Sequence, residues 1–295
     1  MRPPLRTVGM LLILFLLACS GPARGERQPL RVVAVETFLA DIAQNVAGER
    51  LQVQSLLPPG VEPHDYEPTP RDIARVAECD LLIVNGAGLE GFLEKVLAGA
   101  GGHFHLVVAA AGLFDEGSGE VDPHFWLDPN RVARYVENIR EGLSQVDPEG
   151  RALYARNAEA YLRQLQALDL WIAEQVEEIP AGRRLLVTDH RVLGYFADRY
   201  GLRVVGSIVP GFSPEAAPSA RQLAQLVEDI RASGAPALFL EVGEDSPLAR
   251  QLAAETGIRV VSGLYTHSLS GPDGPAPTYI EMMRHNTRLI VEALK

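Results

Sequence analysis

Residues 149–178 read EGRALYARNAEAYLRQLQALDLWIAEQVEE. After Gly150 the run holds no further Gly and no Pro, and its pattern is helical throughout. As one helix it would extend about 45 Å at the usual rise per residue. A rod of that length is stiff, unlike a Gly/Ser linker. Asp147-Pro148 separates it from an earlier helical stretch that begins at Asn130.

Upstream of this rod the chain alternates strands and helices. Leu30–Val35 (LRVVAV) is apolar and β-branched and reads as a buried strand. Phe38–Ala47 has helical spacing and stops at Gly48. Leu51–Leu57 reads as the second strand, and Pro70–Ala77 as a helix with Thr69 as N-cap and Pro70 in its first position. Asp80–Val84 is a third strand, Leu89–Leu97 a helix and His105–Ala109 a fourth strand. Downstream, after Pro180-Ala181-Gly182, the alternation resumes. Strands are expected at Arg184–Thr188, Arg203–Val209, Ala237–Val242 and Arg259–Ser262, with helices at Leu193–Tyr200, Pro214–Ser233, Pro247–Thr256 and Thr278–Leu294. The order βαβα argues for parallel sheets covered by helices. The expected fold is therefore α/β, with two lobes at 30–148 and 180–295, each built on a parallel four-stranded sheet. A rigid connecting helix at 149–179 joins them. Ligands of open α/β sheets sit beyond the carboxyl ends of the strands, and in two lobes those ends can face one cleft.

Composition agrees with a globular chain. Of 295 residues, 47% are hydrophobic and 22% charged, which excludes wholesale disorder. The net charge is −11, and no basic run stands out, so nucleic acid is not an expected partner. The two cysteines, Cys19 and Cys79, provide neither a disulfide framework nor a thiolate zinc site.

The first residues read as a targeting segment. Arg2 and Arg6 precede a short apolar run from Gly9 to Leu17, too short to span a bilayer comfortably. Leu16-Leu17-Ala18-Cys19 resembles a bacterial lipobox, which implies cleavage before Cys19 and acylation of that cysteine. Residues 1–18 are then a leader and 19–29 a polar, flexible tether. The expected location is the cell envelope, outside the cytoplasm, lipid-anchored at Cys19, with no later transmembrane helix.

The chemistry-bearing residues are histidines. His64 lies in PPGVEPHDYEP after the second strand, stiffened by prolines. His124 lies in DPHFWLDP before the first middle helix. His190 follows the strand ending at Thr188, and His267 follows the last strand in YTHS. The four sit in four loops, two per half, at predicted strand ends. Their separations of 60, 66 and 77 residues match no local metal motif, so joint placement carries the argument. His103 and His105 read as structural or exposed, and His285 as exposed on the polar side of the last helix. Imidazole suits Zn(II), Cu, Ni and Fe. Four protein ligands close a tetrahedral site and leave no place for a catalytic water, which favours binding over hydrolysis.

Several long motifs occur in order: PHDYEPTP (63–70), DPHFWLDP (122–129), TDHRVLGYFADRYGL (188–202) and TYIEMMRHN (278–286). In these the chain resembles the zinc- and manganese-binding lipoproteins of bacterial ABC importers, the cluster A-I or cluster 9 solute-binding family. The resemblance covers nearly the whole chain after the leader. It implies two (β/α)4 lobes, a rigid connecting helix and one metal ion in the cleft, with an ABC permease and its ATPase as partners. It also implies a monomer that is not an enzyme. The family's first three ligands map onto His64, His124 and His190. In manganese-type members the third is often Glu, so His190 points to Zn(II), with Mn(II) as the alternative. The fourth ligand is usually an Asp in a segment like Tyr265–Leu269; His267 holds that slot here, with Asp273 or Glu241 as alternatives. Glu241, at a position where the family commonly carries Glu, is expected to support a ligand rather than bind. The His-rich loop of many zinc-type members is replaced by the short acidic stretch Asp115–Asp122.

Three rival functions are distinguishable. A manganese- or iron-specific member shares the fold. A metal-dependent hydrolase would need three His ligands, an open position and a base, for which Glu62 and Glu241 are candidates. A surface adhesin could use the same scaffold.

Overall fold

The structure, a computed structural model, describes residues 30–115, 117, 119–214, 217–243 and 246–295. The leader, the tether and the anchor candidate Cys19 lie outside the described residues. The first sheet contains β1 (Val32–Ala34), β2 (Val53–Ser55), β3 (Leu81–Val84) and β4 (His105–Val108) in the order β2-β1-β3-β4, all parallel. The second contains β5 (Leu185–Thr188), β6 (Arg203–Ser207), β7 (Ala237–Glu241) and β8 (Arg259–Leu264) in the order β6-β5-β7-β8, again parallel. Central strands β1 and β3 are buried along their whole length, as continuous apolar runs in parallel sheets should be.

The helices are α1 (Thr37–Ala47), α2 (Pro70–Ala77), α3 (Leu93–Ala100), α4 (Pro129–Val146), α5 (Arg151–Glu177), α6 (Gly194–Tyr200), α7 (Ala220–Ser233), α8 (Pro247–Thr256) and α9 (Tyr279–Leu294). Helix α5 is the long rod, with 27 residues, and it extends about 40 Å. It starts two residues later than its sequence pattern because Pro148–Gly150 forms a 3-10 turn. A Cβ on Gly150 would come within 2.5 Å of the Asp147 carboxylate and the Tyr154 ring, so only glycine fits that turn.

One face of α5 carries Tyr154, Ala158, Tyr161, Leu165, Leu168, Ile172 and Val176, spaced three and four apart. This stripe packs against α1, α4 and α9, and one continuous hydrophobic core runs from β1 through α5 to α9. The single charge on the stripe, Asp169, is fully engaged. It accepts from Arg199 Nε at 3.0 Å and Nη2 at 2.6 Å, from Tyr200 Oη at 3.0 Å and from Asn130 Nδ2 at 2.9 Å. Asp169 thereby ties α5 to α4 and α6.

Direct bonds also join the halves. Trp126 stacks on Phe38 with ring centroids 4.4 Å apart, and its Nε1 donates to the Thr266 carbonyl at 2.7 Å. Tyr279 donates its hydroxyl to the Trp126 carbonyl at 2.6 Å and its backbone N–H to Asp41 at 3.0 Å. The Leu269 N–H reaches Thr37 Oγ1 at 2.7 Å, and the Gly60 N–H reaches Ser268 Oγ at 2.9 Å.

Several other boundaries depart from the sequence expectation, three of them for reasons of local chemistry or position. The helix expected from Pro214 starts only at Ala220, because Pro218 cannot sit inside a helix and Ser219 with Gln222 forms a capping box. The helix expected at Leu89–Leu97 is α3, shifted to Leu93–Ala100, because Glu90 turns its carboxylate back onto the backbone N–H of Asn85 and Gly86. Strand β2 keeps only three residues, as an edge strand whose Gln54 is exposed. Thr69 and Pro70 start α2 as expected, with Asp72 completing a capping box.

Candidate metal centre

The four loop histidines converge. His64 enters from the proline-rich loop after β2. His124 directly precedes the 3-10 turn Phe125–Leu127 that leads into α4. His190 follows β5, where Thr188 Oγ1 donates to its carbonyl at 2.6 Å and closes the turn. His267 follows β8. Each offers one ring nitrogen, and these four atoms lie within 4.8 Å of one another. His64 Nε2 is 3.3 Å from His124 Nε2, which is 3.0 Å from His267 Nε2. A tetrahedron of nitrogens at the usual zinc–imidazole distance of about 2.0–2.1 Å has edges of about 3.3 Å. His124, His190 and His267 are 0%, 1% and 3% exposed, and His64 is half-buried.

Carboxylates fix the rings from behind. Asp122 Oδ1 accepts from His124 Nδ1 at 2.7 Å. Asp189 Oδ2 lies 3.0 Å from His190 Nδ1. Glu241 and Glu62 approach His267 Nδ1 at 3.1 and 3.2 Å. In each case Nδ1 is the atom held by a carboxylate, so Nε2 is turned to the centre, as for His190, whose buried Nε2 has no hydrogen-bond partner.

The electrostatics split the four rings. Burial, followed by the positive charges of His267 and His190, lowers the His64 pKa to about 3. Burial holds His124 well below the ordinary imidazole value. Burial would also lower His267, but Glu241 and Glu62 outweigh it and raise the group to about 9. His190 is raised in the same way, its burial outweighed by Asp189. Burial pushes Glu241 up, yet the neighbouring His267 charge holds it at about 2. The centre therefore combines lone pairs on His64 and His124 with a protonated His267, whose proton a bound cation would replace.

The remaining candidates are elsewhere. Asp273 is exposed in the loop before α9 and belongs to none of the metal-competent clusters among the described residues. Glu241 stands behind His267 and His190, as a supporting group would. His103 is exposed, and His105 lies half-buried on β4. The expectation that His285 is exposed is corrected: it is half-buried, with Nε2 3.0 Å from the Gly263 carbonyl and its ring against Tyr265. The polar face of α9 is covered there by the chain at the end of β8.

Sequence reasoning passed over Asp122 and Asp189 as functional groups. Both were visible as an acid one or two residues before a candidate His, in Asp122-Pro123-His124 and Asp189-His190. Two openings reach the centre. A cavity of about 440 Å³ touches His64, with Phe114 and Phe212 on its walls. Another of about 370 Å³ touches His267, with Glu62, Asp65 and Glu241 on its walls.

The chain is similar to known proteins over nearly its full length. It is 34% identical over 290 residues to the manganese-binding lipoprotein MntA of Halalkalibacterium halodurans, covering 97% of this chain and 96% of that one. It is 38% identical over 259 residues to the iron-binding protein YfeA of Yersinia pestis, covering 86% and 82%. Its fold matches the periplasmic zinc-binding protein TroA from Treponema pallidum with a TM-score of 0.83 at 27% identity, over 90% of this chain and 99% of that one. A family model described as zinc-uptake complex component A, periplasmic, matches residues 32–293, and the chain belongs to that ZnuA family.

Proposed function

We propose that this protein captures Zn(II) outside the cytoplasm and delivers it to the permease of an ABC importer. The observation that carries the reading is the convergence of one nitrogen from each of His64, His124, His190 and His267 within 4.8 Å. In this reading all four are ligands, Asp122, Asp189 and Glu241 orient them, and Asp273 takes no part. An all-imidazole set suits zinc better than manganese, which favours oxygen ligands. Manganese is the second reading, favoured by relatives named for that metal. Four closing nitrogens leave no position for an activated water, which argues against a hydrolase.

Residues 1–18 act as the leader and Cys19 as the lipid anchor in this account, with 19–29 as tether and a monomeric body. No helix among the described residues is long and apolar enough to cross a membrane, so attachment rests on the anchor. The lobes at 30–148 and 180–295 move little about the connecting helix, because Trp126, Tyr279, Leu269 and Gly60 bond across them. Release then comes from local rearrangement of the His64 or His267 loop.

The test is metal analysis of the stripped protein after exposure to equal Zn, Mn, Fe and Cu salts. Affinity order favours zinc over manganese at most nitrogen sites, so the informative arms are the variants. About one zinc per chain, lost in His64→Ala and His190→Ala, supports the reading. Manganese retained in preference to zinc overturns the metal, and no bound metal overturns the site.

A further inference from the structure

A second buried polar cluster lies in the loops that follow β1 and β3 of the first sheet. Glu36 lies two residues after β1 and is the N-cap residue of α1, yet its side chain does not cap the helix. It is 1% exposed, and no donor group reaches either carboxyl oxygen. The side chain within hydrogen-bonding reach of it is Glu90. Glu90 is 5% exposed, and its carboxylate accepts the backbone N–H of Asn85 and, at 3.0 Å, that of Gly86. Asn85 is fully buried; its Nδ2 donates to the Pro123 carbonyl at 3.1 Å, and its Oδ1 accepts from the Tyr135 hydroxyl. Pro123 is the residue before His124.

We propose that Glu36 and Glu90 share one proton and that, through Asn85, the pair positions the loop carrying His124. The second half of this statement rests on His124 being a metal ligand; the first does not.

Two carboxyls facing each other in a dry wall do not both ionise. Glu90 has two N–H donors and keeps the charge. Glu36 has none, so its own O–H, donated to Glu90, is the bond that joins them. Burial, with the Glu90 charge added, raises Glu36 well above the carboxylate range. The other ionisable group facing the pair is the Tyr135 phenol from α4, itself pushed far up by burial and by both carboxyls.

The loop after β3 needs such a restraint. Gly86, Ala87 and Gly88 follow one another with φ of 86°, 54° and 80°. Ala87 in the left-handed region is strained by its Cβ, so a free chain would leave that shape. Glu90 holds it by the two N–H bonds at the start of the turn.

The experiment compares thermal unfolding of the metal-stripped full chain with that of Glu36→Gln and Glu36→Met at about pH 4 and pH 8. Glu36 has a folded pKa above its unfolded value. Its stabilising contribution is complete below the unfolded pKa and lost as pH rises toward the folded one. Wild type and Glu36→Gln, whose amide also donates to Glu90, should therefore melt alike near pH 4, below the unfolded value of 4.5, with Glu36→Met lower. By pH 8 wild type should have fallen relative to Glu36→Gln, by a linkage of about one proton per chain. A gap between wild type and Glu36→Gln that does not change with pH overturns the shared proton. A carboxylic-acid infrared band at pH 8, present in wild type and absent from Glu36→Gln, supports it. Zn(II) titration then reads the positioning. Asn85→Ala and Glu36→Met should weaken binding about tenfold or more, and Glu36→Gln should restore it. Unchanged affinity in Asn85→Ala overturns the positioning role. Absence of zinc binding by wild type would instead overturn the metal reading and leave the unfolding result to decide the pair.

Discussion

Asp122 Oδ1 accepts from both the backbone N–H and the Nδ1 of His124, at 3.0 and 2.7 Å. One carboxylate atom thus sets the turn that presents His124 and the tautomer it presents. Asp122→Ala should weaken Zn(II) binding about 10- to 100-fold while leaving the melting temperature of the metal-free protein within a few degrees. Competitive titration against a chromophoric chelator measures this, and unchanged affinity would show that His124 is oriented by its packing alone.

His267 should be the most costly of the four to lose. It lies 3.0 Å from His124 Nε2 and carries two carboxylates behind it. His267→Ala should reduce Zn(II) affinity at least about 100-fold, since one bond of four is lost and with it the ring whose Nδ1 Glu62 and Glu241 hold. A three-ligand hydrolytic site would keep its metal in the same variant. Calorimetric titration of the two proteins separates these outcomes.

Binding should release protons. His267, with a pKa of about 9, is protonated in the metal-free protein at neutral pH and must lose that proton to ligate. Zn(II) affinity therefore rises with pH up to about 9 and falls on acidification. For the metal-free fold the signs are opposed. The His267 contribution is complete below the unfolded value of 6.5 and lost as pH rises through about 9. His64, lowered to about 3, removes stability as pH falls below 6.5. Metal-free stability should thus peak near pH 6.5 in the part governed by these rings. Melting temperature against pH, with and without zinc, checks both signs.

Asp169 holds the long helix to two others, so Asp169→Ala should cost about 2–3 kcal/mol, leaving Asn130 and the buried Tyr200 hydroxyl short of an acceptor. The Arg199 half of the cluster is 43% exposed and contributes the smaller share. Denaturant unfolding measures the loss. Zn(II) affinity should change less than about threefold if the role is confined to the scaffold.

Much of this molecule was legible because its signals are local. Thr69-Pro70, Gly48 and the Pro-free run after Gly150 each specify a start, a stop or a rod without outside help. Strand runs such as ALFLE fixed the sheets for the same reason. The misplaced starts of α3 and α7 came from turn chemistry: Glu90 folding back on Asn85, and Pro218 with Ser219 delaying the helix. The four histidines were recognisable from their placement at strand ends, but their mutual distances arise from contacts 60 or more residues apart. The Glu36–Glu90 pair gave no signal at all, because nothing in either neighbourhood shows that two acids from separate loops share a dry wall.

X-ray absorption of the zinc-loaded protein tests the central claim most directly. The account predicts four nitrogen scatterers at about 2.0 Å with the outer-shell signature of imidazole, reduced to three in His267→Ala. Oxygen ligands, or a count above four in the unaltered protein, would contradict the four-histidine site.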